Sequence, residues 1–406
     1  MKAVIVAGGL GTRLRPITDN IPKPLIEVKG KPIVLQQIEW LKKYGIKDIL
    51  ITTSYKHEKI INYLGDGNKF GVKINYFIEE KPMGTAGAFV LDANRKWLDD
   101  DFIIISGDII TNLDIRELFD FHRSKKSNFS ITLQRRKSFS SSVKIDSNNT
   151  IISFVEKPKE IEENTFSNAS IYLIDKDAIK FIKGSVPLDF SKDIFPALIN
   201  NGFPIFGYVN DKFYWREVGS LEKLNLINNE PSKAVFIDID GILCEKALRK
   251  GEYIDSIEKF KWKENAKESI KLLSDIGFYI FPVTNKACIN KGIISEEKIR
   301  EMYSTVFDKL PIKEIFICPH RHDEQCSCRK PRPGLIDNGL LKYNLDSKNC
   351  WVVGDNDVDV VCGESAGCKT ILVGSDGIKE LEMNPNFSAA NFAEAAKIIS
   401  DCDGKN

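Results

Sequence analysis

The chain has 406 residues, 42% of them hydrophobic and 28% charged, with a formal net charge of +1. That balance is ordinary for a soluble globular protein and supplies no field strong enough to draw nucleic acid or an anionic membrane. No apolar run approaches the roughly 18 residues of a membrane span. At roughly 100–200 residues per domain, the length holds two or three domains. Met1-Lys2 leads into five apolar residues and then Gly8-Gly9. That run is too short for a secretion signal, so a cytoplasmic location is expected. All nine cysteines lie at or beyond Cys244, an odd count that makes a poor disulfide framework and suggests two modules.

The front of the chain alternates strand and helix. Strands are predicted at 2–7, 46–53, 73–78, 101–106 and 128–134. A helix is predicted at 32–44, where Val34, Ile38 and Leu41 share one face and Gly45 stops it. A hairpin is predicted at 143–155, turning at Asn148-Asn149. Such alternation makes a doubly wound, mainly parallel α/β sheet. A polar linker at 228–233 separates residues 1–227 from residues 234–406. The pattern then restarts, with strands at 234–237, 278–283, 312–317, 350–353 and 370–373 and a helix at 264–276. The last residues hold a short amphipathic helix and a polar tail.

The first strand opens into Gly8-Gly9-Leu10-Gly11-Thr12-Arg13-Leu14-Arg15-Pro16. Glycines let backbone N–H groups approach phosphate oxygens, and Arg13 adds a planar donor fork. Pro22-Lys23-Pro24 then presents one ammonium on a stiff segment. This string resembles the signature of sugar-1-phosphate nucleotidyltransferases, and further parts of that pattern follow in order to about residue 225. They are the Glu80-Lys81-Pro82-Met83-Gly84-Thr85-Ala86-Gly87 loop, Gly107-Asp108, Val155-Glu156-Lys157-Pro158, Asn168 and Trp215-Arg216-Glu217-Val218-Gly219. The resemblance implies that Gly8, Gly9, Gly11, Thr12 and Gly84 bind the nucleotide and that Asp108 and Glu217 hold Mg²⁺. It implies that Arg13 and Lys23 hold the triphosphate, Lys157 the incoming sugar phosphate and Asn168 the sugar. Two departures stand out. Ser170 replaces the usual Gly, and Glu217 replaces the usual Asp; a longer carboxylate shifts a bound ion unless the backbone compensates.

In the second half, Asp238-Ile239-Asp240-Gly241 follows an apolar strand. One carboxylate can attack phosphorus and the other can handle the leaving group's proton. Two acids so close need a cation, and Asp355 ends a later strand where it could share Mg²⁺. With Thr284-Asn285, Lys330 and the later Gly354-Asp355-x-x-x-Asp359, the set resembles haloacid dehalogenase-like phosphatases over about residues 234–375. The resemblance implies Asp238 as nucleophile and Asp240 as acid and then base. It implies Thr284, Asn285, Arg329 and Lys330 around the phosphoryl group, with Mg²⁺ on Asp238, Asp355 and the Asp240 carbonyl. Cys318-Pro319-His320, five residues, then Cys326-Ser327-Cys328 form a polar loop suited to a structural Zn²⁺. That loop resembles the branch holding histidinol-phosphate and heptose-1,7-bisphosphate phosphatases, which have almost no cap; the short 241–263 stretch agrees. The remaining six cysteines read as packing or surface thiols.

The two resemblances meet in one reaction sequence: loss of the 7-phosphate from D-glycero-D-manno-heptose 1,7-bisphosphate, then transfer of GMP from GTP to the heptose 1-phosphate. The expected partners are thus a nucleoside triphosphate, with GTP favoured, and sugar phosphates. Homo-oligomer formation stays open. So do a hexose 1-phosphate or histidinol phosphate as substrates, and a non-catalytic front module that regulates the phosphatase.

Overall fold

The computed structural model describes residues 1–135, 140–160, 163–210, 213–247, 252–374 and 384–403. The predicted polar tail beyond 403 and part of the 241–263 stretch lie outside them. The chain divides into two compact units, Met1–Glu230 and Pro231–Asn406. No described helix is long and apolar enough to cross a membrane.

The first unit is built on a seven-stranded sheet: β1 (Lys2–Val6), β2 (Asp48–Thr53), β3 (Lys73–Ile78), β4 (Phe102–Ser106), β5 (Phe129–Gln134), β6 (Ser167–Ile174) and β7 (Phe206–Val209). Its order is β7-β5-β6-β4-β1-β2-β3. β6 runs antiparallel to both neighbours and the other pairs are parallel. The central strands are continuous apolar runs because both faces are covered. Ala3 and Ile5 enter one core with Val34, Ile38 and Leu41 of the helix Ile33–Lys43. Val4 enters the opposite core with Phe102 and Phe89. The hairpin forms from Ser141–Ile145 and Ile151–Glu156. Asp146 caps its turn by accepting from the Asn148 and Thr150 N–H groups at 2.9 and 2.7 Å.

The second unit holds an all-parallel six-stranded sheet: β8 (Ala234–Asp238), β9 (Tyr279–Asn285), β10 (Phe316–Cys318), β11 (Trp351–Gly354), β12 (Lys369–Val373) and β13 (Phe387–Ala389). Its order is β10-β9-β8-β11-β12-β13. Residues of β8 alternate between two cores: Val235 and Ile237 in one, Ala234 and Phe236 in the other. The strand expected at 312–317 is shorter than predicted. Lys313 and Glu314 break its apolar run, and Ile312 makes only an isolated bridge to Ile280. In both units the parallel strands end at one edge, the edge where open α/β sheets bind ligands.

Candidate functional site

In the first unit, β1 runs out into the glycine loop at that edge. Gly11 has φ 64°, and a Cβ there would lie 2.8 Å from the Thr18 methyl. The loop is pinned by hydrogen bonds from Thr18 Oγ1 to the Gly11 carbonyl at 2.9 Å and from Ser54 Oγ to the Gly8 carbonyl at 2.7 Å. At the end of β4, Asp108 receives Lys23 Nζ at 2.5 Å and Ser106 Oγ at 2.6 Å. Burial presses the Asp108 carboxyl upward, yet the Lys23 ammonium and the Ser106 hydroxyl outweigh it and hold the group below the usual carboxylate range.

A short ribbon brings in the second acid. Trp215–Glu217 pairs antiparallel with Ile109–Thr111, in a register that sets Glu217 against Ile109. The Val218 N–H donates to the Asp108 carbonyl at 2.8 Å. Glu217 and Asp108 therefore stand on adjoining backbones, Glu217 ion-paired to Lys223. Arg13 reaches the same place: a Cβ on Gly219 would lie 2.9 Å from Glu217 Oε1 and 3.5 Å from Arg13 Nη2. Two carboxylates, each already drawing a lysine, offer hard oxygens of the kind Mg²⁺ takes.

The Gly84 loop and Asn168 form a second group. Gly84 has φ 79°, and a Cβ would meet the Leu188 carbonyl at 2.3 Å. Backbone bonds of 2.8 Å join Ala86 N–H to the Leu188 carbonyl and Leu188 N–H to the Met83 carbonyl. Asn168 Nδ2 donates to Tyr172 Oη at 2.8 Å and Ser191 Oγ at 3.3 Å, and its Oδ1 accepts from the Ser170 N–H at 2.9 Å. The Asn168 amide thus braces the bulge in β6, where Ser170 holds a left-handed φ of 56°. Lys157 is exposed just past the hairpin. Among the described residues, no ion pair or hydrogen bond joins its ammonium to Asp108 or Glu217.

In the second unit, Asp238 ends β8, Thr284 and Asn285 end β9, and Asp355 follows β11. The first three border a cavity of about 370 Å³ with Asp240, Lys246, Tyr253, Lys330 and Asp359. Asp238, Asp355 and Asp359 each offer an oxygen within 4.8 Å of the others. Lys330 Nζ lies 2.6 Å from both Asp238 and Asp359. Asn285 holds Lys330 in place, exchanging two 3.2 Å hydrogen bonds with its backbone. Asp355 pairs with Lys246 at 2.8 Å. A Cβ on Gly241, which has φ 104°, would fall 1.8 Å from Asp355 Oδ2. Burial pushes the Asp238 carboxyl up, with Lys330 opposing and the charges of Asp359 and Asp240 adding. A divalent cation on these oxygens would favour the ionised form, and three carboxylates at this spacing fit one. The Asp240 side chain turns instead to Lys286, at 2.9 and 2.6 Å, leaving its backbone carbonyl as the group it could offer a cation.

The cysteine loop begins where β10 ends. Cys318, Cys326 and Cys328 have Sγ–Sγ separations of 3.7, 3.4 and 3.5 Å. His320 Nδ1 lies 3.6 Å from Cys318 Sγ and 3.2 Å from Cys328 Sγ. A tetrahedral zinc with standard bond lengths needs edges of about 3.8 Å between sulfurs and about 3.5 Å between nitrogen and sulfur. The four groups therefore have the dimensions of such a site, and none of the cysteines is in a disulfide. Arg329 donates to the His320 carbonyl at 3.0 Å, which ties its guanidinium to the loop.

Three residues escaped the sequence reading. Asp359 carried a signal as the last acid of its motif. Glu79, 7% exposed, lies against Gly8 and accepts from the Met83 N–H at 3.1 Å; burial raises its carboxyl, with that N–H opposing. Lys286 is buried, and nothing in its local sequence marks it.

Comparison with known proteins agrees with this division. The nucleotidyl transferase family model matches residues 2–233, and a HAD-hydrolase-like model matches 327–395, a stretch containing Lys330, Asp355 and Asp359. A Synechocystis UTP–glucose-1-phosphate uridylyltransferase is 34% identical over 237 residues, covering 54% of this chain and 61% of that protein. The chain thus spans only about 61% of such longer relatives. The D-glycero-α-D-manno-heptose 1-phosphate guanylyltransferase of Aneurinibacillus thermoaerophilus is 33% identical over 217 residues, covering 53% of this chain and 91% of that protein. A Bacillus anthracis crystal structure described as a glucose-1-phosphate thymidylyltransferase superposes with a TM-score of 0.51 at 28% identity, covering 56% of this chain and 94% of that one. The chain belongs to the nucleotidyl transferase family and carries a HAD-like hydrolase unit behind the transferase unit.

Proposed function

We propose that the protein performs two steps of activated-sugar synthesis: the second unit removes the 7-phosphate of D-glycero-D-manno-heptose 1,7-bisphosphate, and the first transfers GMP from GTP to the heptose 1-phosphate. The observation that carries this reading is the pair of strand-end centres, each a carboxylate set neutralised by fixed lysines, in one chain. The heptose assignment is supported by the relative that this chain covers over 91% of its length. The work belongs in the cytoplasm, where nucleoside triphosphates and sugar phosphates are available.

In the transferase unit, an oxygen of the sugar phosphate attacks the α-phosphorus in line. The new P–O bond forms as the bond to pyrophosphate breaks. The attacker is already anionic, so charge neutralisation and alignment suffice. Arg13 and Lys23 hold the triphosphate, and the glycine loop brings backbone donors close to it. Lys157 meets the incoming phosphate. Asp108 and Glu217 would hold Mg²⁺, which when bound offsets phosphate charge.

In the phosphatase unit, an Asp238 oxygen attacks phosphorus while Asp240 gives a proton to the leaving oxygen. Water then attacks the aspartyl-phosphate, Asp240 takes its proton, and the Asp238–phosphorus bond breaks. Lys330 fixes Asp238 and, with Thr284, meets the phosphoryl group. Asp238, Asp355 and the Asp240 carbonyl would hold Mg²⁺, with Asp359 orienting Lys330 beside it. Cys318, His320, Cys326 and Cys328 would hold a structural Zn²⁺ that orders the loop leading to Arg329 and Lys330.

Incubation with heptose 1,7-bisphosphate and GTP tests the reading. GDP-heptose, free phosphate and pyrophosphate are expected in equal amounts by mass spectrometry and colorimetry. Release of pyrophosphate only with UTP or dTTP, or only with a hexose 1-phosphate, would replace the guanine and heptose assignments. Phosphate release from histidinol phosphate alone would replace the phosphatase substrate.

A further inference from the structure

Lys286 is the feature that the scheme above leaves unused. Its side chain is 1% exposed, an unusual place for lysine, which normally keeps its ammonium in water. Nζ contacts both oxygens of Asp240, at 2.9 and 2.6 Å. It also stands 5.9 Å from the centre of the buried Tyr303 ring. The Lys286 N–H donates to the Cys318 carbonyl at 2.8 Å, so its backbone is anchored on the first residue of the cysteine loop. Asp240, by contrast, is one-third exposed. Left alone, its carboxylate could swing among the staggered wells of χ1 and turn broadly about χ2. Only orientations that reach the leaving oxygen within hydrogen-bond distance can deliver a proton.

We propose that Lys286 is a positioning residue. It grips the Asp240 carboxylate from the buried side and aims it at the leaving oxygen, and it makes no contact with the phosphoryl group itself. This rests on the phosphatase reading and adds a part to it. When a proton sits on one Asp240 oxygen, it displaces one of the two contacts, and the other still fixes the group. The backbone bond to Cys318 makes the cysteine loop part of the same support.

A residue that acts through the proton donor has a signature that general loss of structure lacks. A poor leaving group, such as the alkoxide of a primary alkyl phosphate, needs the donor; p-nitrophenolate scarcely does. The test compares kcat/KM for heptose 1,7-bisphosphate (or another primary alkyl phosphate) with that for p-nitrophenyl phosphate in the full chain. Lys286→Met is expected to lower the alkyl value about 30-fold or more and the aryl value about threefold or less. Lys286→Gln keeps one donor and should fall between; it carries the comparison if the Met variant does not fold. In an Asp240→Asn background, Lys286→Met should cost nothing further, because both act as one unit. An equal fall on both esters, or a full additional loss in the Asp240→Asn background, overturns the role while leaving the phosphatase reading intact. A wild-type chain inactive on every phosphate monoester overturns both.

Discussion

The two centres handle negative charge differently. In the transferase unit each acid has one lysine: Lys23 on Asp108, both about one-sixth exposed, and the more open Lys223 on Glu217. In the hydrolase unit one buried lysine, Lys330, serves two carboxylates while Lys286 and Lys246 hold two others. The difference follows the chemistry proposed for each. An anionic phosphate needs no proton removed, so one lysine beside each acid is enough. An aspartate nucleophile with a separate proton donor needs several like charges crowded together and kept apart in orientation, which a densely compensated pocket allows.

The sharpest way to break this comparison is at the proposed nucleophile. Asp238→Asn should lower phosphate release from heptose 1,7-bisphosphate on the order of 10⁴-fold or more and leave pyrophosphate release from GTP and supplied heptose 1-phosphate unchanged. Asp108→Asn should do the reverse, lowering nucleotide transfer by about 10²- to 10³-fold with phosphate release intact. Assaying both products on both variants shows whether the centres are independent; a shared loss would sink the division. Next in size, Cys326→Ser or a strong zinc chelator should release one zinc per chain and depress phosphatase activity and the thermal stability of the hydrolase unit. Metal analysis with paired activity assays checks this, and the transferase reaction is the internal control.

The smallest expected effect concerns His122, which is buried against Ser130 Oγ at 2.8 Å. Burial lowers its pKa below the ordinary 6.5, with Asp101 and Asp175 opposing. As pH falls, the unfolded chain takes up this proton first, so the stability tied to neutral His122 is full above about 6.5 and declines below it. Thermal unfolding of the full chain from about pH 7.5 to about pH 5 should show that decline, and His122→Gln should flatten it.

Where an apolar run is covered on both faces, the chain announces itself: β1, β4 and β8 are legible as written. β6 is not, because it opens with Ser167-Asn168-Ala169-Ser170 and a bulge that breaks the alternation. β13 has three residues, two of them exposed. The same contrast holds at the sites. Asp238, Asp240 and Asp355 have diagnostic spacing, and the cysteine loop spells out the four groups that the structure gathers. Of the lysines paired with those acids, Lys330 follows its motif, but Lys246 and Lys286 carry no such cue, since a lysine reads as a surface residue by default. Lys286 could be found only in three dimensions, because Asp240 lies 46 positions away. Glu79 was overlooked because the neighbouring Glu80 opens the more familiar string.

Gly241 has a wider consequence. With Asp355 occupying the space its Cβ would need, this position has no neutral drift available: every other amino acid, alanine included, would have to evict the carboxylate or bend the chain. A single methyl there is expected to displace Asp355 and to lower the phosphate release proposed for this unit while the apolar interior stays whole.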